Sequence, residues 1–193
     1  RPHEAAGPTP TPSASPTPSI PPIAREKVWT SDTPASGTYL LNTLTAQAAL
    51  AAPKTVTYVV KVEDTTQVLP DEAAAEIQKT FDDPRGWAGY GKRNFTLIAE
   101  EKQAALVIYI ASPTTTDQLC KPADVESKWN CRVGGRVVLN SDRWRFMTPT
   151  YDDLGAYRSY LVNHEVGHAL GHGHRTCPGP GRPAPLMVQQ TKS

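Results

Sequence analysis

The sequence has no long apolar run and no block of charge of one sign. Its longest apolar stretches, residues 48–52 and 104–111, are far shorter than the roughly 18–20 residues that a membrane-spanning helix needs. Twenty Lys and Arg residues against 19 Asp and Glu residues leave a formal net charge of +1, without a basic cluster that would attract nucleic acid. We therefore expect no membrane insertion by this chain and no nucleic-acid partner.

Cysteine is also scarce, with three residues in the chain, Cys120, Cys131 and Cys177. The first two are close enough in sequence to close a short loop as a disulfide, and such a bond suits an oxidising compartment. The alternative is that all three thiols are reduced and buried, which is common for cysteine. We predict the Cys120–Cys131 bond and assign no partner to Cys177.

The chain begins at Arg1 without a methionine or a signal peptide, and we expect that a leader or an anchor has been removed. Residues 1–22 are a linker rich in Pro, Ser and Thr. Because this composition buries little apolar surface, it favours an extended or disordered chain. It suits either a spacer that holds a domain away from a membrane or wall, with Ser and Thr open to O-glycosylation, or a disordered tail.

The remaining residues divide into a lead-in segment, residues 23–54, which we expect to belong to the domain, and the main part of one domain of ordinary size, residues 55–193. Runs rich in β-branched and aromatic residues predict five strands, over residues 37–45, 55–63, 94–99, 105–110 and 136–140. The almost wholly apolar run 105–110 is expected at the centre of the sheet. Helices are predicted over residues 72–81, capped by Asp71, and from about 150–153 to Gly171, capped by Thr150 or an aspartate. This order predicts an α/β (α+β) fold with a twisted mixed sheet packed on two helices.

The last helix carries the clearest chemical signal, the pattern HExxHxxGxxH from His164 to His174. His164 and His168 are four residues apart, so they lie on one helical face about 6 Å apart along the axis. Catalytic zinc usually has three protein ligands and a water, so a third ligand must follow the helix. Gly171 can adopt a positive φ and return His174 to the metal. His172 is the competing ligand in a continued helix, which the glycines on either side of it disfavour.

Glu165 follows the first histidine directly and is the candidate catalytic residue. A carboxylate at this position can accept a proton from a zinc-bound water, whose pKa the metal lowers to about 7, and later return it to a leaving amine. Tyr157 and Tyr160 lie on the preceding turns and are expected to be packing residues. The motif therefore predicts hydrolysis of an amide bond.

The motif from His164 to His174, with Met187 further along the chain, resembles the metzincin clan of zinc peptidases. The resemblance implies a mixed twisted sheet on two helices and a small irregular C-terminal subdomain. In that subdomain Met187 would form a hydrophobic floor, the Met-turn, under the three imidazoles. It also implies that an edge strand above the cleft, matched here to Val137–Asn140, pairs with extended peptide substrate.

A closer resemblance is to an actinobacterial family of secreted or membrane-anchored metzincin-like proteins, over roughly residues 55 to 190. It rests on four stretches of the sequence, residues 58–64, 83–87, 134–140 and 161–165. The chain departs from the well-known metzincin families at Arg175, after the third histidine. It also departs at Gln189, where some of them have a tyrosine that ligates zinc. It stops soon after Met187, which suggests either a minimal or a truncated domain.

These observations predict a secreted or extracellular zinc-dependent endopeptidase, in some forms anchored at the cell surface. Its ligands are His164, His168 and His174, its general base is Glu165, its cofactor is Zn²⁺, and its substrate is a protein or peptide. We expect it to act as a monomer. Two alternatives remain, a non-proteolytic zinc-containing binding module at the cell surface and a zinc amidase that acts on cell-wall material. Cys177 could bind zinc as a thiolate, but three histidines already complete the site.

Overall fold

The computed structural model describes residues 19–173 and 186–187, which contain one mixed sheet and five α-helices. The strands are β1 (Tyr39–Leu41), β2 (Lys54–Glu63), β3 (Arg93–Leu97), β4 (Leu106–Ala111), β5 (Cys131–Val133) and β6 (Arg136–Asn140). The helices are α1 (Pro22–Glu26), α2 (Pro70–Asp82), α3 (Pro113–Leu119), α4 (Ser141–Phe146) and α5 (Leu154–Ala169). No helix among these residues is long and apolar enough to cross a membrane.

The sheet is built around β2 and β4. β2 pairs with β4 along one side, and with β1 and β3 along different halves of the other side. β2, β3, β4 and β6 run parallel, whereas β1 and β5 are antiparallel to their neighbours. β4 is therefore a central strand, as its apolar sequence predicts.

The expectation that Val137–Asn140 forms the edge of the sheet is wrong. These residues belong to β6, which lies between β4 and β5. Gly134 adopts a φ of +60°, which allows the tight turn that folds β5 back along the outside of β6. Among the described strands the edge on this side is β5, and the predicted strand 136–140 is an interior strand.

The main core lies between one face of the sheet and the two long helices. Val60 of β2, Ile108 of β4 and Leu139 of β6 are fully buried against apolar residues of α2 and α5. A salt bridge of 2.7 Å between Arg158 and Glu76 ties the two helices together. The predicted α/β arrangement of a mixed sheet with helices is confirmed at this level.

The N-terminus of α2 differs from the prediction that Asp71 caps it. Pro70 is the first helical residue and Leu69 is the N-cap, without a side-chain hydrogen bond. Proline suits this place because its fixed φ is already helical and it has no N–H to satisfy. The carboxylate of Asp71 instead accepts hydrogen bonds from the backbone N–H groups of Thr43 and Leu44, at 2.7 and 2.9 Å.

The lead-in segment has less strand than predicted. A strand was expected over residues 37–45, but only β1, Tyr39–Leu41, pairs with the sheet as a strand. Several of the segment's other backbone N–H groups donate to acidic side chains instead. They donate to four carboxylates on three elements of the domain, those of Asp142 on α4, Glu63 on β2, and Asp71 and Asp82 on α2. The segment therefore lies along the domain and is held there by side-chain acceptors.

The other face of the sheet carries a smaller cluster around a disulfide. Cys120 and Cys131 form the predicted bond, and both are buried with Val125 and with Val138 of β6. The bond connects the end of α3 to β5. The disulfide prediction is confirmed, and the bond lies on the face opposite α2 and α5.

Candidate metal centre

α5 is defined at its start by a local cap. The Asp153 carboxylate accepts a hydrogen bond from Ala156 N at 2.8 Å, which satisfies one of the N–H groups that a helix leaves open. This agrees with the prediction that Thr150 or an aspartate caps the helix. Tyr157 and Leu161 are buried on the face toward the core, so the helix is anchored before it reaches the histidines.

The two helical histidines lie side by side on α5. The ring centroids of His164 and His168 are 4.9 Å apart, with the ring planes at 86°. His164 is buried with 5% of its surface exposed, and its ring also contacts Tyr160 at 5.4 Å. The predicted packing role of Tyr157 agrees with its burial, but Tyr160 additionally touches a predicted ligand.

The end of α5 is a Schellman motif. Gly171 N–H donates to the His168 carbonyl at 3.0 Å, and His172 N–H donates to the Gly167 carbonyl at 2.9 Å. Gly171 adopts a φ of +93°, which an L side chain would resist. The prediction that Gly171 ends the helix with a positive φ is confirmed, and the chain leaves the helical path before His174.

The imidazole of His168 is oriented by the turn that follows it. Its Nδ1 lies 2.9 Å from the backbone carbonyl oxygen of His172. Because a carbonyl can only accept, Nδ1 carries the proton, and Nε2 is the nitrogen that would bind a metal. A backbone carbonyl on the far nitrogen is a common outer partner of metal-bound histidine, so this donor set fits Zn²⁺.

The side chain of His172 packs on Trp87. The two rings are stacked, with centroids 4.5 Å apart and an interplanar angle of 16°. Trp87 also donates from Nε1 to the carbonyl oxygen of Asn163 in α5, at 2.6 Å. His172 therefore contributes its carbonyl to His168 and its ring to the packing of this loop.

Glu165 is buried on α5, with 8% of its surface exposed. Burial raises the pKa of its carboxyl to about 7, because removal from water penalises the charged form. A cation beside the carboxylate would oppose this shift. Without such a cation the group exchanges a proton close to neutral pH.

Met187 lies against the turn of α5 between the two histidines. It is buried, and a Cβ at Gly167 would clash with its Sδ atom and would lie 2.6 Å from Cζ2 of Trp87. Glycine at this position lets a methionine and a tryptophan approach the helix backbone closely. The sequence pattern identified Met187, but it gave no chemical signal for Trp87, which belongs only to a stretch of family resemblance.

Several predicted site residues lie outside the described part of the chain. These are the third ligand His174, the departures Arg175 and Gln189, and Cys177. Residues 19–173 and 186–187 contain no group of three or more His, Cys, Asp or Glu side chains that could hold a metal ion. The predicted set has only His164 and His168 in that range, so the third ligand stays a prediction.

Comparisons with known proteins place the chain in a family without adding a function. The family described as "Protein of unknown function (DUF3152)" matches residues 30–193. No curated protein and no solved structure shows significant similarity to the chain. The match covers the lead-in segment from Thr30 onward together with the whole of α5.

Proposed function

The chain belongs to the family described as protein of unknown function, DUF3152, and we propose that it is a secreted zinc-dependent endopeptidase of the metzincin type. His164, His168 and His174 would hold the metal, and Glu165 would act as general base. When bound, Zn²⁺ supplies Lewis acidity that polarises a substrate carbonyl and lowers the pKa of a water. Proton transfer and substrate binding would be carried out by residues of the chain itself.

One observation carries the proposal, the geometry at the C-terminal end of α5. Two imidazoles lie side by side on one face, and the Nδ1 proton of His168 is committed to a backbone carbonyl. The Schellman motif then turns the chain away from the helix three residues before His174. A core histidine pair needs neither this tautomer nor this turn, whereas a three-histidine site uses both.

Glu165 would move the proton in the reaction. Its carboxylate accepts a proton from the attacking water and donates it to the nitrogen of the leaving amine. A carboxyl group suits both transfers, since it can be ionised first and protonated next. The burial of the side chain also excludes bulk water from this proton.

The edge strand β5 would hold the extended substrate. β5 contacts α5, and Arg132 and Val133 are exposed on it. Backbone groups at a sheet edge can pair with an extended peptide, which gives affinity without a dedicated side-chain pocket. This proposal moves the substrate-binding segment from Val137–Asn140 to Cys131–Val133.

Secretion is proposed on two features. The Cys120–Cys131 disulfide fits an oxidising compartment, and the Pro-rich linker fits a spacer between a domain and a surface. Fractionation of the native host cells tests this proposal. We expect the full protein outside the cytoplasmic membrane, and a protein found only in the cytoplasm with reduced thiols would contradict it.

The function is tested by zinc content and cleavage of a peptide library with the wild type, Glu165→Ala and His3→Ala. We expect about one zinc per chain in all three. Wild type and His3→Ala should cleave peptides until a chelator is added, whereas Glu165→Ala should be inactive. His3→Ala is the matched control, because it removes a histidine that the motif does not contain.

The other outcomes identify the alternatives. Zinc binding without cleavage of peptides or of purified cell-wall material would favour a non-proteolytic binding module. Chelator-sensitive release of amines from wall material but not from peptides would favour an amidase. A wild-type protein that takes up no zinc would overturn the metal centre itself.

A further inference from the structure

Trp87 makes three contacts with the end of α5, although it lies 76 residues before Asn163 in the chain. Its Nε1 donates to Asn163 O at 2.6 Å. Its six-membered ring lies over Gly167, where a Cβ would be 2.6 Å from Cζ2. The ring also stacks on His172 at 4.5 Å. These contacts surround the turn that carries both predicted helical ligands.

The contact with His172 reaches a predicted ligand through one hydrogen bond. His172 is exposed and lies beyond the end of the helix, where chain ends fray easily. Its backbone carbonyl is nevertheless the acceptor for Nδ1 of His168. The stacked Trp87 ring and the bond from His172 N–H to Gly167 O hold that carbonyl in place.

We propose that Trp87 is a positioning residue of the metal centre, which fixes the tautomer and orientation of His168 by holding His172. The inference rests on the proposed function in taking His168 as a zinc ligand. Loss of the aromatic ring would release the His172 carbonyl, so that the Nδ1 proton of His168 loses its fixed acceptor. Outer partners of this kind typically change metal affinity by about 10- to 100-fold.

The loop that carries Trp87 is itself rigidly placed. Gly86 N–H donates to the Asp83 carbonyl at 2.9 Å, and a Cβ at Gly86 would lie 3.2 Å from Oδ1 of Asn163. Gly89 approaches the Pro84 carbonyl so closely that any Cβ would collide with it. A loop packed this tightly can fix an aromatic ring against a helix end.

The test compares wild type, Trp87→Leu, Trp87→Phe and Tyr90→Leu in the full chain. Zinc affinity is measured by competition with a chromophoric chelator, and thermal unfolding of the metal-free proteins reports stability. The tautomer of His168 is read in metal-free protein from two-bond ¹H–¹⁵N correlations of the imidazole. Tyr90→Leu is the matched control, because Tyr90 lies on the same turn and is largely exposed.

We expect Trp87→Leu to weaken zinc binding about 10- to 100-fold and to give a mixed His168 tautomer. Trp87→Phe keeps a ring over His172 and should stay within about threefold of wild type, well under 1.4 kcal/mol, as should Tyr90→Leu. If Trp87→Leu fails to fold, Trp87→Phe still tests the inference, because its phenyl ring should preserve the wild-type tautomer and a mixed His168 tautomer in this folded variant would overturn it.

Two further results would overturn the inference. One is a folded Trp87→Leu protein with wild-type zinc affinity and an unchanged His168 tautomer. The other is a mixed tautomer in the wild type itself. Neither depends on catalysis, and the tautomer is measured without metal. A wild type that shows the fixed tautomer but takes up no zinc would therefore refute the proposed function and leave the positioning of His168 supported.

Discussion

His172 and His174 are two residues apart, and the sequence motif assigns the role of third ligand to His174. The ring of His172 is occupied by stacking on Trp87, which favours His174. We expect His174→Phe to lower the affinity for zinc by at least about 100-fold, since it removes one of the three predicted ligands. His172→Phe should bind zinc normally, because a phenyl ring can replace the imidazole against Trp87 and the backbone carbonyl is unchanged.

The two variants form a matched pair, with the same substitution on either side of Gly173. Zinc content by atomic emission and affinity by chelator competition decide between them. The opposite pattern, with zinc kept in His174→Phe and lost in His172→Phe, would make His172 the ligand. It would also require the stacked ring to leave Trp87 when zinc binds.

The packing around Gly167 requires glycine at this position, although the motif HExxHxxGxxH allows any residue there. A Cβ at this position would clash with Met187 and Trp87, so Gly167→Ala should destabilise the domain by about 1–3 kcal/mol, the usual cost of overpacking. Urea unfolding measures this cost. Gly155→Ala in the first turn of the same helix is the control. There the nearest atom is a single side-chain oxygen, the Oδ1 of Asp153 that caps the helix, at 3.2 Å, and alanine favours the helix by up to about 1 kcal/mol.

A stabilised Gly167→Ala protein would contradict the packing described for Met187. It would mean that the methionine and the tryptophan can move aside without loss of contact. The same variant should weaken zinc binding, since both clashing side chains lie beside the turn between His164 and His168.

At the scale of elements, α5 was predictable because all of its signals are local. Asp153, the histidine spacing and Gly171 are each read within a few residues, and the structure has the cap, the face and the stop where they were expected. The sheet edge was not predictable in this way. Whether Val137–Asn140 lies inside or at the edge depends on β5 folding back beside it, which no local pattern specifies.

Trp87 was missed for the same reason. It contacts α5 from a loop far away in sequence, and a single tryptophan between Gly86 and Ala88 has no motif of its own. The capping prediction for Asp71 failed because the residue has a non-local partner, the backbone of Thr43 and Leu44. Residues whose partners are distant in sequence were therefore the ones that local patterns did not identify.

The lead-in segment depends on carboxylates, and this predicts a response to acid. Buried Glu63 accepts hydrogen bonds from Gly37 N at 2.8 Å, Ser112 N at 2.7 Å and Thr115 Oγ1 at 2.6 Å. Burial alone would raise the pKa of Glu63, but these hydrogen bonds outweigh it and the pKa is lowered. The pKa of Asp71 is lowered by the bonds from Leu44 and Thr43.

A lowered pKa in the folded state stabilises the fold above the unfolded-state values, which are about 4.3 for Glu and 3.9 for Asp. This contribution is lost as the pH falls through the folded-state pKa. We therefore expect residues 36–44 to lose protection from amide hydrogen exchange below about pH 4, before α5 does. If residues 36–44 and α5 lost protection at the same pH, the lead-in segment would not detach before the rest of the domain, and this prediction would be wrong.

Glu63→Gln tests the same contacts at neutral pH. The amide keeps the shape but replaces one acceptor oxygen with a donor, which would face a backbone N–H or a hydroxyl. We expect a loss of about 1–3 kcal/mol in the free energy of unfolding, measured by urea denaturation. Glu26→Gln is the control, because Glu26 is an exposed residue of the same segment and should change stability by less than about 0.5 kcal/mol.

At the scale of the whole molecule, the sheet separates two tasks by face. Two of the predicted metal ligands, His164 and His168, lie on α5, which packs with α2 on one face. The disulfide and its cluster lie on the other face and hold β5, the edge strand proposed to bind substrate. Stability of the edge and assembly of the metal centre should therefore respond to different substitutions.

Removal of the disulfide tests this separation. Cys120→Ala with Cys131→Ala should lower the free energy of unfolding by about 2–3 kcal/mol, as for other short disulfide loops. Zinc affinity should stay at the wild-type level, whereas KM for a long peptide should rise, because β5 loses its covalent tie to α3. Cys177→Ala is the control and should keep zinc, since three histidines complete the ligand set. A parallel loss of zinc affinity in the double variant would show that the two faces are coupled through β6.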